Sequence, residues 1–320
     1  MAADLQVRRH TITTADGVGL AVEEYGSADA EHTVYFWHGL CLSKLAFTPQ
    51  ITLLRRRFGD AVRMVAVDHR GHGHSGSAAM ASYTIAQLGR DVATVLAGIG
   101  GRGTCTLVGH SMGGMALLEY LQLPTSWRPV DPDALVLVGT AAGRLAERGA
   151  GRLLGLPLLG ALAEVVEHTH HGDKAVRTLV RPVCRTVGRV CGLCDADRDT
   201  LTATVANAVY TTPLTTAVGF LPSLKSYDAY SVLPTITART TVISGGADLL
   251  TPPAHARDLA DGIAGATHRH LPAAGHMLLH EAPHIVANEI ARTITTATSP
   301  SRQDVSGGAA LTAGALAVAQ

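Results

Sequence analysis

The sequence predicts an α/β protein in which a parallel sheet is covered by helices. Five short apolar runs rich in β-branched residues carry that reading, at 33–37, 62–67, 104–109, 134–139 and 240–245. None has a polar face, as expected of strands buried on both sides. Segments of helical spacing alternate with them, at 43–57, 83–98, 113–122, 255–263 and 281–296.

In chain order, residues 5–26 alternate apolar and polar around Asp16-Gly17, a hairpin signal. The five runs and their helices follow, and one interval breaks the rhythm. From Ala141 to Leu233 no comparable strand-like run occurs; helical patterns are interrupted by Gly155, Pro157, Gly160, Pro182, Pro213 and Pro222. Residues 141–233 are therefore expected to be a mostly helical insertion between the core parts 1–140 and 234–296. Its leucine-rich start, 151–166, suits either a greasy pocket wall or packing onto the core. The tail, 297–320, shifts to small residues and is expected to be disordered.

The chain has 320 residues, 47% of them hydrophobic, enough for one large core. Lys+Arg 26 balance Asp+Glu 26 with no basic stripe, which argues against a nucleic-acid partner. The N-terminal residues contain no apolar stretch of the secretory kind, and no run approaches the ~20 apolar residues of a membrane span. Five scattered cysteines suit reduced thiols, so a cytoplasmic location is expected.

Chemistry centres on "GHSMG", 109–113, where a strand runs straight into a helix through Ser111. Glycines two residues to either side imply that bulk is forbidden there, as in a strained turn that lifts one hydroxyl from its surroundings. A serine hydroxyl needs a base. Of 16 histidines, His276 follows a probable strand containing His268 and His270 and precedes a helix. That is the sheet edge where sites gather. His280 is the second choice. The base needs a carboxylate to hold its tautomer, and Asp248, at the end of "TTVISGGAD", leaves a strand at the same edge. The oxyanion of the attacked carbonyl needs two aimed N–H groups. Met112, after the nucleophile, supplies one; Leu40, or else Cys41, in "HGLCLS" supplies the other.

The order Ser111, Asp248, His276, with "HGL" at 38–40 and "DHRGHGHS" at 68–75, resembles the α/β-hydrolase superfamily over residues 5–296. The resemblance implies an eight-stranded, mostly parallel sheet with helices on both faces, and a helical cap at 141–233. It implies a serine hydrolase cleaving a carboxylic ester or related acyl bond through an acyl-enzyme. Perhydrolysis, C–C bond hydrolysis and a slow-turnover receptor would use the same three residues. Ser111 argues against the epoxide hydrolases and haloalkane dehalogenases, which carry aspartate there. Asp68, Arg70 and Ser75 are read as buttresses of the oxyanion loop and its neighbours, not as substrate contacts.

No cofactor or metal is expected. His168, His170 and His171 lack an obvious further ligand. Cys191 and Cys194, with Cys184 upstream, lack a second C-x-x-C. "GIGGRG", 98–103, precedes a strand and lacks the lysine of a phosphate loop, so it reads as a linker. A small-molecule acyl substrate is the expected partner, and the sequence leaves the oligomeric state open.

Overall fold

Every apolar run forms a strand. In the computed structural model, which describes residues 7–155 and 212–298, β1 (Val7–Thr13) and β2 (Gly19–Tyr25) form the N-terminal hairpin. Gly17 at φ 83° turns the chain between them. The runs become β3 (His32–Trp37), β4 (Arg63–Val67), β5 (Thr104–His110), β6 (Ala134–Val138) and β7 (Arg239–Gly245), and β8 (Thr267–Leu271) adds the far edge. One eight-stranded sheet results, in the order β1-β2-β4-β3-β5-β6-β7-β8. The strands from β4 to β8 in that order pair in parallel, while β1 and β2 are antiparallel to their neighbours.

Because successive side chains point to opposite faces, each run feeds two cores. Val34 and Phe36 of β3 join one, Tyr35 and Trp37 the other; Val136 and Val138 of β6 oppose Leu135 and Leu137 in the same way. Helices α1 (Thr48–Phe58) and α8 (Pro283–Thr298) cover one face. Helices α2 (Ile85–Ile99), α3 (Met112–Gln122) and α6 (Pro253–Gly262) cover the other. In α2 the buried stripe Ile85, Leu88, Val92, Val95 and Leu96 follows the helical period. Thr84 caps its start by accepting the Gln87 N–H at 3.1 Å, and Gly100 at φ 62° ends it.

Most of the expected insertion, with His168, His170, His171, Cys184, Cys191 and Cys194, lies outside the described residues, as does the tail beyond 298. Its described ends hold 3-10 turns at Leu145–Glu147, Gly149–Gly155 and Tyr230–Thr235, and the short helices α4 (Leu214–Gly219) and α5 (Leu221–Ser226). The two ends meet: Gly143 and Asp228 form an isolated antiparallel bridge, and the Ala229 N–H donates to the Ala142 carbonyl at 2.6 Å.

Arg70, fully buried after β4, ties three elements together. It forks onto Asp91 of α2 at 2.6 and 2.7 Å, and onto Asp16 of the hairpin turn at 2.7 and 3.1 Å. Its bonds, helped by the Thr14 hydroxyl, hold the Asp16 carboxyl down at about 2. Replacing Arg70 with methionine keeps the stem but strands the buried Asp91 carboxylate. We expect a loss of about 3–5 kcal/mol, read as a lower urea midpoint with the slope unchanged.

Candidate active site

Ser111 is the single residue between the end of β5 and the start of α3. Its backbone is at φ 51°, ψ −121°, a conformation that L residues rarely hold. The surroundings enforce it. The Ser111 N–H donates to the Val138 carbonyl at 2.9 Å, and the Thr140 hydroxyl donates to the Ser111 carbonyl at 2.7 Å. The flanking glycines are there for space. A Cβ on Gly109 would lie 2.5 Å from the Gly114 nitrogen, and one on Gly113 would collide with the Trp37 carbonyl at the end of β3. The helix thus starts hard against the sheet, and the hydroxyl is left projecting.

His276 follows β8 and is almost fully buried. Its Nε2 lies 3.0 Å from Ser111 Oγ and its Nδ1 lies 2.8 Å from Asp248 Oδ2. The carboxylate fixes the tautomer: Nδ1–H donates to Asp248, so the Nε2 lone pair faces the serine hydroxyl. Asp248 divides its oxygens between two tasks. Oδ1 accepts the N–H groups of Leu250 and Thr251, both at 2.8 Å, which shapes the turn after β7. Oδ2 faces His276 and the Thr251 hydroxyl at 2.7 Å. Burial alone would raise this carboxyl's pKa. The facing His276 and the Thr251 donors outweigh it, and the net shift is downward.

The structure therefore brings Ser111, His276 and Asp248 into one chain of hydrogen bonds, from three strand ends. His280, the other candidate base, lies in α7 (Leu278–Glu281), is not bonded to Ser111, and burial lowers its pKa to about 4. His268 and His270 point from β8 to the Ser244 hydroxyl at 2.8 and 3.1 Å.

The loop after β3 lies against the strand-to-helix elbow at Ser111. A Cβ on Gly39 would be 3.1 Å from the Ser111 Cβ. Among the described residues the Leu40 N–H meets no acceptor. Met112 opens α3, where an N–H has no intrahelical carbonyl to bond. The Cys41 N–H is engaged: it donates to His72 Nε2 at 3.1 Å. Asp68 braces the same loop, accepting the Lys44 N–H at 2.7 Å and the buried Lys44 ammonium at 2.6 Å. Ser75 ties the Asp68 carbonyl, 2.7 Å away, to the Ala21 N–H, 2.8 Å away.

Three contributors were not legible in the sequence: Thr251, His72 and His110. Buried His110 donates from Nε2 to the His276 carbonyl at 3.0 Å, so the residue before Ser111 steadies the loop that carries His276. It occupies the variable position of G-x-S-x-G, and that placement is the one signal that could have drawn notice. Thr251 stands three residues after Asp248, the span of a turn closed on an aspartate.

This sheet order, with the serine at the strand-to-helix turn after β5, is that of an α/β-hydrolase fold. Residues 34–289 match the model of the Alpha/beta hydrolase family, and the chain belongs to that family and is a hydrolase. It is 30% identical over 259 residues to a Variovorax paradoxus (strain S110) protein provisionally named carbamate hydrolase RutD, spanning 80% of this chain and 89% of that protein. Among solved structures, an esterase (EaEST) from Exiguobacterium antarcticum superposes with a TM-score of 0.72 at 22% identity, over 90% of this chain and 100% of its own. An enol-lactonase from Burkholderia xenovorans LB400 gives 0.65 at 23% identity, over 87% and 97%. Among the described residues no helix is long and apolar enough to cross a membrane.

Proposed function

We propose that the protein is a serine hydrolase cleaving a carboxylic ester or related acyl bond, with Ser111, His276 and Asp248 as catalytic residues. One observation carries this: the unbroken chain from Ser111 Oγ through His276 to Asp248, on a serine held in a strained backbone conformation. His276 Nε2 takes the hydroxyl proton as Oγ attacks the carbonyl carbon. The charge that gathers on the carbonyl oxygen is met by the N–H groups of Leu40 and Met112, positioned before the reaction begins. The imidazolium, stabilised by Asp248, returns its proton to the leaving oxygen, and an acyl-enzyme remains. Water, deprotonated by the same Nε2, then attacks the acyl carbon and frees Ser111.

Residues 141–233 are proposed as the cap over this site. Support comes from their two ends meeting at Gly143 and Asp228, so that the segment leaves and rejoins the body at one point. The relatives' names include a carbamate hydrolase and an enol-lactonase, whose carbonyl centres the same attack would serve.

The test is pre-steady-state hydrolysis of p-nitrophenyl esters of rising acyl length, beside a p-nitrophenyl carbamate and an enol lactone. A burst of one p-nitrophenolate per chain followed by steady turnover is expected on at least one ester. A burst without turnover on every substrate would move the reading to a slow receptor. Neither burst nor turnover from the folded protein would overturn it.

A further inference from the structure

Catalysis by the proposed route needs one particular N–H of the loop after β3 to point at the developing oxyanion. The loop from His38 to Ser43 offers several candidates, and described bonds engage the N–H groups of Cys41, Leu42 and, just beyond the loop, Lys44. Leu42 N–H closes onto the Gly39 carbonyl at 3.2 Å, Lys44 N–H onto Asp68, and Cys41 N–H onto His72. Cys41 is also in the left-handed region at φ 58°, which costs a non-glycine residue about 1–2 kcal/mol. The His72 bond is what its N–H gains in that conformation.

His72 is itself held. Its Nε2 accepts from Cys41, so the proton must be on Nδ1, which donates to the Arg70 carbonyl at 2.9 Å. Arg70 in turn is anchored by Asp91 and Asp16. The ring is fully buried, with Phe220 6.0 Å and His38 5.2 Å away between centroids. His38 and His69 form a reciprocal pair beneath it: the His69 N–H donates to His38 Nε2 at 3.1 Å, and His69 Nε2 donates to the His38 carbonyl at 3.0 Å.

We infer that His72 is a positioning residue for the oxyanion site: by drawing the Cys41 N–H away, it selects the Leu40 N–H as the donor that faces Ser111. The inference rests on the acyl-transfer reading above. It goes beyond that reading by explaining why the loop presents Leu40 and not Cys41.

Two amide substitutions separate the bonds that His72 makes. In His72→Asn the side chain reaches the Nδ1 position and can still donate to Arg70, but it falls short of Cys41. In His72→Gln the amide oxygen reaches the Nε2 position. On a p-nitrophenyl ester, His72→Asn should lower kcat about 10- to 100-fold with KM within about 3-fold. That approaches the loss of a whole oxyanion donor. His72→Gln should recover most of the rate. Labelling of Ser111 by a phosphonofluoridate, whose adduct places an oxygen in the same site, should slow in parallel. His72→Phe, which keeps the ring against Phe220, stands in if the asparagine variant does not fold.

Wild-type kcat in a folded variant without the Cys41 bond would overturn the inference and leave the hydrolase reading intact. So would equal losses in the asparagine and glutamine variants that merely track lower thermal midpoints. A wild-type protein that neither turns over nor labels would remove both.

Discussion

Replacing Ser111 with alanine should lower kcat on any ester the enzyme accepts by about 10⁴–10⁶-fold, since residues acting as a unit fail together. The fold should be untouched. The hydroxyl's one described side-chain partner is His276 Nε2, and the elbow is held by backbone bonds to Val138 and by Thr140. Glycine at the same position offers a sharper comparison. It should be equally inactive, yet about 1 kcal/mol more stable than the alanine variant. A residue at φ 51°, ψ −121° stores strain that glycine does not, partly offset by glycine's freedom in the unfolded chain. Equal stabilities would mean the elbow is not strained. Retained turnover in either variant would remove Ser111 from the mechanism.

A large loss of stability is expected on mild acidification, through the buried imidazoles. Burial holds His38 and His69 well below their ordinary pKa, His72 at about 4 and His110 at about 3. Asp68 pulls the other way on His69 and His72 and is outweighed. The unfolded chain titrates its histidines near 6.5. Below that pH it binds protons that the native state refuses, so stability is complete above about 6.5 and falls as the pH drops towards 4. Each neutral imidazole contributes about 1 kcal/mol of loss per pH unit, and four together about 4 kcal/mol per unit. That rivals the whole stability of an ordinary domain. Urea unfolding at pH 7.5, 6.5 and 5.5 should show the decline setting in between the last two. A flat profile down to pH 5 would mean that these rings are charged in the native state.

Strands buried on both faces announced themselves, because they require uninterrupted apolar runs. β8 did not: four of the five residues in "THRHL" are exposed at the sheet edge, and it was legible only by its place before His276. β4 lies between β2 and β3, an order that follows from pairing geometry and not from composition. The elbow was legible because steric exclusion leaves a mark: only glycine fits at 109 and 113. Hydrogen-bond roles leave none. His72, His110 and Thr251 have the same composition whether they face solvent, core or site, and only the folded geometry distinguishes them. β5 and α3 each extend one residue further towards Ser111 than the apolar patterns indicated. The turn is compressed onto the serine itself.

His276 follows Ser111 by 165 residues. During synthesis at about 5–20 residues per second, the serine would emerge roughly 8–30 seconds before its histidine exists. β6 and β7 pair only after the long segment between them has been made, and β8 must then dock on β7 to bring the imidazole into place. Throughout that interval Ser111 is an ordinary alcohol. On the proposed mechanism a chain that has not yet added β8 lacks its base, and the hydroxyl gains that base only as the sheet closes.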